Sequence, residues 1–168
     1  NPRQAEQMYE KVLRSAGLSG RERVLDLYSG IGSIGLYLSP HCRSVLGIDN
    51  VNESVQLAGE NAENNRRSNC EFIQGEVENV LDQDFFARRG RFDLAVIDPP
   101  RSGLHKNVVA ELLSVEIPHI IYVSCNPATQ ARDLLALRDK YRLESIQPLD
   151  MFPHTFHIET IADLRLKA

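Results

Sequence analysis

The chain has 168 residues and a mass of 18.9 kDa, enough for one domain with a full core, and its 42% hydrophobic and 25% charged content is that of an ordinary globular protein. A net charge of −4 and a pI near 5.7 argue against a domain that grips nucleic acid by bulk electrostatics alone, while leaving open a nucleic-acid substrate held with another domain's help. No apolar run reaches membrane-spanning length, no secretory leader pattern is present, and three cysteines without a Cys-x-x-Cys pair point to a reducing, cytoplasmic setting with no metal site in this chain.

Asn1-Pro2-Arg3-Gln4 has the form of a helix start, with Asn as cap and Pro at the first helical position. Ala5, Met8, Tyr9, Val12, Leu13 and Ala16 then recur at helical spacing, and Gly17 ends the run. Residues 23–28 read as the first strand, opening into Ser29-Gly30-Ile31-Gly32-Ser33-Ile34-Gly35 and a helix to Leu38. Residues 44–49 form the second strand, ending in the carboxylate of Asp49, and residues 52–66 a helix. Residues 70–74 are the third strand, followed by Gly75-Glu76 and a helix towards Phe86. Residues 92–97 are the fourth, ending in Asp98-Pro99-Pro100-Arg101-Ser102-Gly103, and a helix over 107–113 leads on.

Ile120, Ile121, Tyr122 and Val123 are dense in β-branched and aromatic types and read as a strand buried on both faces, which carries Cys125 to its tip. Asn126-Pro127 breaks the ladder and starts a helix over 128–138. A sixth strand lies within 141–151 and a seventh spans 157–166, with no helix between them. Alternating strands and helices predict an α/β fold: a seven-stranded, mostly parallel sheet with helices on both faces and an antiparallel pair at one end. The whole of residues 1–168 is expected to be a single domain.

In open α/β sheets, ligands bind beyond the carboxyl ends of the strands, so the strand tips carry the chemistry. Cys125 places a thiol there, beside a helix N-terminus that favours its thiolate, whereas Cys42 and Cys70 read as structural cysteines. Gly30-x-Gly32-x-x-Gly35, with Asp49 following Gly30 by 19 residues, fits the dinucleotide fingerprint, which keeps an NAD-dependent oxidoreductase open. Asp26-x-Tyr28-x-Gly30-x-Gly32 resembles the first motif of S-adenosylmethionine (SAM) methyltransferases. On that reading Asp49 accepts both ribose hydroxyls, Glu76 approaches adenine or ribose, and Tyr28 packs against the cofactor. Asp26 reads equally as cofactor contact or loop brace, and Glu76 taken alone reads as a solvated helix acid.

Asp98-Pro99-Pro100 is a rigid elbow. Methyltransferases of amino groups carry an aromatic after the two prolines, so Arg101 argues against N-methylation of adenine or cytosine; Arg101 reads equally as a phosphate or base contact and as a surface charge. His154 and His157 read first as structural histidines. Glu159 lies near the start of an apolar strand, where a partly buried carboxylate would have a raised pKa suited to general-base work.

Taken together, Asp26-Leu27-Tyr28-Ser29-Gly30-Ile31-Gly32, Asp98-Pro99-Pro100-Arg101-Ser102-Gly103, Val123-Ser124-Cys125-Asn126-Pro127-Ala128-Thr129 and Met151-Phe152-Pro153-His154-Thr155-x-His157-x-Glu159 resemble the RNA uracil-5-methyltransferase family over the whole chain. The resemblance implies a Rossmann-like methyltransferase fold, SAM as donor with S-adenosylhomocysteine as product, and 5-methyluridine formation in RNA, ribosomal RNA before transfer RNA. It implies Cys125 as nucleophile and Glu159 as base, with Tyr28, Gly30, Asp49, Glu76 and Asp98 around the cofactor. Asp98 lies on this reading between the cofactor and uracil pockets.

Two departures qualify it. A Phe-x-Gln that family members carry just before the position of Asn1 is missing, as is their N-terminal RNA-binding barrel with its iron–sulfur segment in some members. The chain is therefore expected to be the catalytic domain of a longer protein, a monomer that binds SAM yet methylates RNA weakly by itself. The remaining alternative is a non-catalytic SAM- or RNA-binding module, whose sign would be loss of Cys125 or Glu159; both are present.

Overall fold

The structure, a computed structural model, describes residues 2–149 and 158–168, with side chains from Ala5 onward. The expected histidines, His154 and His157, and the rest of the Met151-Phe152-Pro153 turn lie outside the described residues. Seven strands form one sheet among the described residues: β1 (Arg23–Leu27), β2 (Ser44–Asp49), β3 (Cys70–Gln74), β4 (Leu94–Ile97), β5 (His119–Ser124), β6 (Tyr141–Leu149) and β7 (Glu159–Leu166). Their spatial order is β3-β2-β1-β4-β5-β7-β6, with β1 to β5 parallel and β7 antiparallel to both β5 and β6. The order reverses direction between β1 and β4, the place where open α/β sheets form their ligand crevice.

Among the described residues seven α-helices flank the sheet: α1 (Pro2–Ala16), α2 (Ser33–Leu38), α3 (Asn52–Asn64), α4 (Val77–Val80), α5 (Gln83–Arg89), α6 (Lys106–Val115) and α7 (Pro127–Leu137). The central strands are apolar on both faces because each face has its own core. Leu25, Leu27, Ile120 and Tyr122 point into one core, with Phe85, Leu112 and Leu137 from α5, α6 and α7. Val24, Ile121 and Val123, one residue out of step, point into the other, with Met8, Val12 and Leu38 from α1 and α2.

The architecture matches the expected mostly parallel sheet with an antiparallel pair at one end. Three details differ. The helix expected from Gly75 towards Phe86 is two short helices, because Leu81 turns extended and the Asp82 carboxylate caps the second by accepting from the Phe85 N–H at 2.6 Å. The first strand ends at Leu27, since Tyr28 adopts φ 62°. The seventh strand starts at Glu159 instead of residue 157, and it lies between β5 and β6. No helix among the described residues is long and apolar enough to cross a membrane.

Candidate active site

The tips of β1, β2, β3 and β4 open into a cleft of about 940 Å³, and Tyr28, Gly30, Asp49, Glu76 and Asp98 all line it. Tyr28, the residue after β1, takes a left-handed conformation that non-glycine residues rarely adopt, so the turn holds local strain at the edge of the cleft. Gly30 follows at φ 53° with open space where a Cβ would stand, leaving backbone close to the cleft. The Asp49 carboxylate organises this turn: one oxygen accepts from the Gly30 N–H at 2.8 Å, the other from the Val51 N–H at 2.9 Å. Glu76 is exposed and is held by the Asn50 side-chain amide, which donates to its two oxygens at 3.1 and 3.2 Å.

Asp26 is a brace and does not line the cleft. It is fully buried and accepts from the Gly35 N–H at 3.0 Å, while its other oxygen has no hydrogen-bond partner. Burial pushes its carboxyl up to about 7, against the pull of the Gly35 hydrogen bond, and the charges of Asp98 and Asp49 add to the rise. The last glycine of the loop serves this packing, because a Cβ on Gly35 would stand 2.8 Å from the Asp26 carboxylate.

Asp98 is half-buried at the tip of β4, and its N–H donates to the Leu27 carbonyl at 3.2 Å. Burial first, and then the charge of Glu159, push its carboxyl up to about 7. The elbow beyond it is tied to α7 by side chains from the start of that helix. Asn126 and Thr129 donate to the Arg101 carbonyl at 3.0 and 3.2 Å, and Arg132 donates to the Ser102 carbonyl at 2.9 Å. The buried Asp133 carboxylate is the hub: it accepts from the Leu104 N–H at 2.8 Å, the Tyr122 hydroxyl at 2.7 Å and the Arg132 guanidinium at 2.7 and 2.9 Å.

Cys125 stands one strand further along, half-buried at the tip of β5 and outside the cleft's lining. Asn126 caps α7 as its position before Pro127 implies, accepting from the Ala128 N–H at 3.1 Å. The last registered pair of β5 and β7 is Ser124 with Thr160, so Cys125 and Glu159 are the next residues outward on the two strands. The tertiary structure thus brings the expected thiol and carboxylate to one place, with Asp98 near enough to feel Glu159. Cys42 is buried with its thiol pushed up to about 11 by desolvation, and burial also raises the Cys70 thiol; neither is poised as a nucleophile.

The family described as tRNA (Uracil-5-)-methyltransferase matches residues 1–166. The chain belongs to this family. An RNA methyltransferase of Bacteroides thetaiotaomicron is 46% identical over 167 residues, 99% of this chain and 37% of the relative, and one of Staphylococcus aureus is 45% identical with the same coverage. The chain therefore spans well under half the length of these relatives. Among solved structures, the Pyrococcus abyssi tRNA (uracil-54, C5)-methyltransferase in complex with S-adenosyl-L-homocysteine matches with a TM-score of 0.81 and 38% identity, over 96% of this chain and 38% of that one. The N-methyltransferase NodS of Bradyrhizobium japonicum, in complex with S-adenosyl-L-homocysteine, matches with a TM-score of 0.77 at 15% identity, over 97% and 87% of the two chains, which speaks to the fold alone.

In this uracil-5-methyltransferase family member, the side chains that sequence reasoning passed over share one helix. Gln130, Asp133 and Leu137 form the buried face of α7, so two polar side chains point inward at helical spacing. Inward-facing polar residues were the available signal. Their partners were not readable, because Leu104 and Thr160 lie 29 and 30 residues away along the chain.

Proposed function

We propose that this chain methylates C5 of a uridine in RNA with SAM as donor, using Cys125 as nucleophile and Glu159 as base. The observation that carries the reading is the pairing of Ser124 with Thr160, which leaves Cys125 and Glu159 as neighbouring strand ends beside Asp98 at the rim of the cleft.

The cleft fits SAM. Its lining includes the carboxylates of Asp49, Glu76, Glu78 and Asp98, suited to a ligand carrying a sulfonium and an ammonium group. Each Asp49 oxygen accepts one backbone N–H and retains a lone pair for a ribose hydroxyl. Gly30 leaves room for close approach, and Tyr28 supplies an apolar face. Bound SAM supplies an electrophilic methyl group.

Uracil C5 is a poor nucleophile until the ring loses its conjugation. The Cys125 thiolate adds to C6, and the C5–C6 π pair moves onto C5 and the O4 enolate. After C5 is methylated, the Glu159 carboxylate takes the C5 proton, the C5–C6 double bond re-forms, and the thiolate leaves. Asp98 holds the boundary between donor and base. The target uridine is extruded from its stack to reach both groups.

The RNA itself is proposed to be gripped chiefly by segments beyond the stretch that the longer relatives share with this chain, in keeping with its net charge of −4. The relevant form of the protein is on this reading a monomer. Ribosomal RNA is our first choice of substrate; the Pyrococcus abyssi relative, named for uracil 54 of tRNA, makes transfer RNA the second.

The test is denaturing intact mass after incubation with SAM and RNA containing 5-fluorouracil, in ribosomal and transfer RNA arms. Fluorine cannot leave as the proton does, so the adduct is trapped. A protein–RNA adduct that disappears in Cys125→Ala is the expected result, with cofactor affinity in that variant within about twofold of the parent. An adduct that survives Cys125→Ala sinks the assignment.

A further inference from the structure

Around the two reacting groups lies a set of buried polar side chains that the chemistry above does not use. Gln130, Thr160 and Ser124 are 2%, 6% and 4% exposed. The Thr160 hydroxyl donates to Gln130 Oε1 at 2.7 Å, and Gln130 Nε2 donates to the Tyr122 carbonyl at 2.9 Å. Ser124 Oγ accepts from the Asn126 N–H at 3.0 Å, closing the turn that carries Cys125.

Neither Gln130 nor Thr160 is needed to pair the strands, since the backbone ladder already joins β5 and β7 from His119 to Ser124. An apolar pair of the same shape would fill the space without desolvating an amide and a hydroxyl. What the ladder leaves undetermined is how α7, and with it the turn from Cys125 into Pro127, sits against β7. Gln130 lies on α7 and Thr160 adjoins Glu159, so their hydrogen bond joins the helix that starts beside the thiol to the strand that carries the carboxylate.

We infer that Gln130 and Thr160 are positioning residues, whose buried hydrogen bond sets the Glu159 carboxylate against the Cys125 turn for removal of the C5 proton. The inference rests on the roles proposed for Cys125 and Glu159. It predicts a defect late in the reaction: addition of the thiol precedes proton removal, so a displaced Glu159 leaves the enzyme stalled on its RNA.

The natural polypeptide carrying this sequence is given SAM and RNA with tritium at uracil C5. Tritium release and the denaturation-resistant protein–RNA complex are followed together. In Thr160→Val and Gln130→Met, release is expected to slow by roughly tenfold or more while the covalent complex accumulates, because a misplaced base acts late. Thr160→Ser, which keeps the hydroxyl, restores release, and SAM affinity stays near that of the parent in all three. Unchanged release in Thr160→Val overturns the inference. So does a parallel loss of release, adduct and SAM binding, which marks a fold defect. Failure of the underlying reading looks different: the parent protein forms no complex, or Cys125→Ala still forms one, and the positioning role then falls with it.

Discussion

The tips of β1, β2 and β3 and the tips of β4, β5 and β7 form two halves of one rim, built in opposite ways. In the first half single carboxylates hold main chain or one amide: Asp49 accepts from the Gly30 and Val51 N–H groups, Asp26 from the Gly35 N–H, and Glu76 from the Asn50 side-chain amide. In the second half side chains of one helix do the joining. Asp133 and Arg132 fix the elbow after Asp98, and Gln130 reaches Tyr122 and Thr160. A short glycine turn can be held by one or two carboxylates that accept its main-chain N–H groups. A site assembled from strands distant in sequence needs a third element to hold them in relation.

Five substitutions break or sharpen that contrast. The largest effect is expected of Asp133→Ala, which strips the Leu104 N–H, the Tyr122 hydroxyl and Arg132 of one buried acceptor. A loss of about 3–5 kcal/mol in unfolding free energy is expected. Hydrogen exchange locates it: the Leu104 amide loses protection while the Gly30 and Val51 amides keep theirs. Equal loss at all three amides would mean that the halves are not separately built.

Next in size is a pH effect that links them. Burial raises Asp26 and Asp98 from 3.8 to about 7, so the folded chain binds more protons than the unfolded one between those values. The stability these two carboxyls contribute is therefore fully present below about pH 4 and is lost as pH rises through 7. Asp26→Asn removes one share of that decline, up to about 4 kcal/mol for a shift of this size. Denaturant unfolding at pH 4, 6 and 8 measures it, and a variant whose decline equals the parent's would refute the assignment. Asp98→Asn is expected to lower the Asp26 pKa, since the Asp98 charge contributes to its rise.

The smallest effects fall within the first half. Asp49→Ala is expected to weaken SAM binding by about 2 kcal/mol, roughly thirtyfold, because a carboxylate that accepts two main-chain N–H groups shapes the turn as well as touching ligand. Glu76→Gln is expected to change it by less than about 1 kcal/mol, as befits an exposed carboxylate. Calorimetric titration separates the two; equal losses would show that Asp49 has no special hold on the loop.

Much of the first half was legible in the sequence. Asp49 ends β2, Gly30 opens the loop after β1, and Tyr28 and Glu76 stand just beyond β1 and β3; the family resemblance, which also took in Asp98 at the tip of β4, set all five around the cofactor, and all five line one cleft. Asp26 shows the limit. Its position in the motif suited ligand contact or bracing equally, and only its alternation with Leu25 and Leu27 on a fully covered strand decided for burial. The helix expected over the stretch beyond Gly75 failed for a local reason: Asp82, three residues before Phe85, is a capping signal that starts a second helix.

By itself the sequence determined the strands, most of the helices and the side chains that stand at strand ends, because periodicity and turn chemistry act over a few neighbouring residues. Only the tertiary structure decided that β7 enters between β5 and β6. That pairing sets Ser124 beside Thr160, 36 residues apart along the chain, and so brings Glu159 next to Cys125. The physical reason is that strand order and register come from packing and ladder hydrogen bonds between distant segments, and no local pattern encodes which strand will be the neighbour.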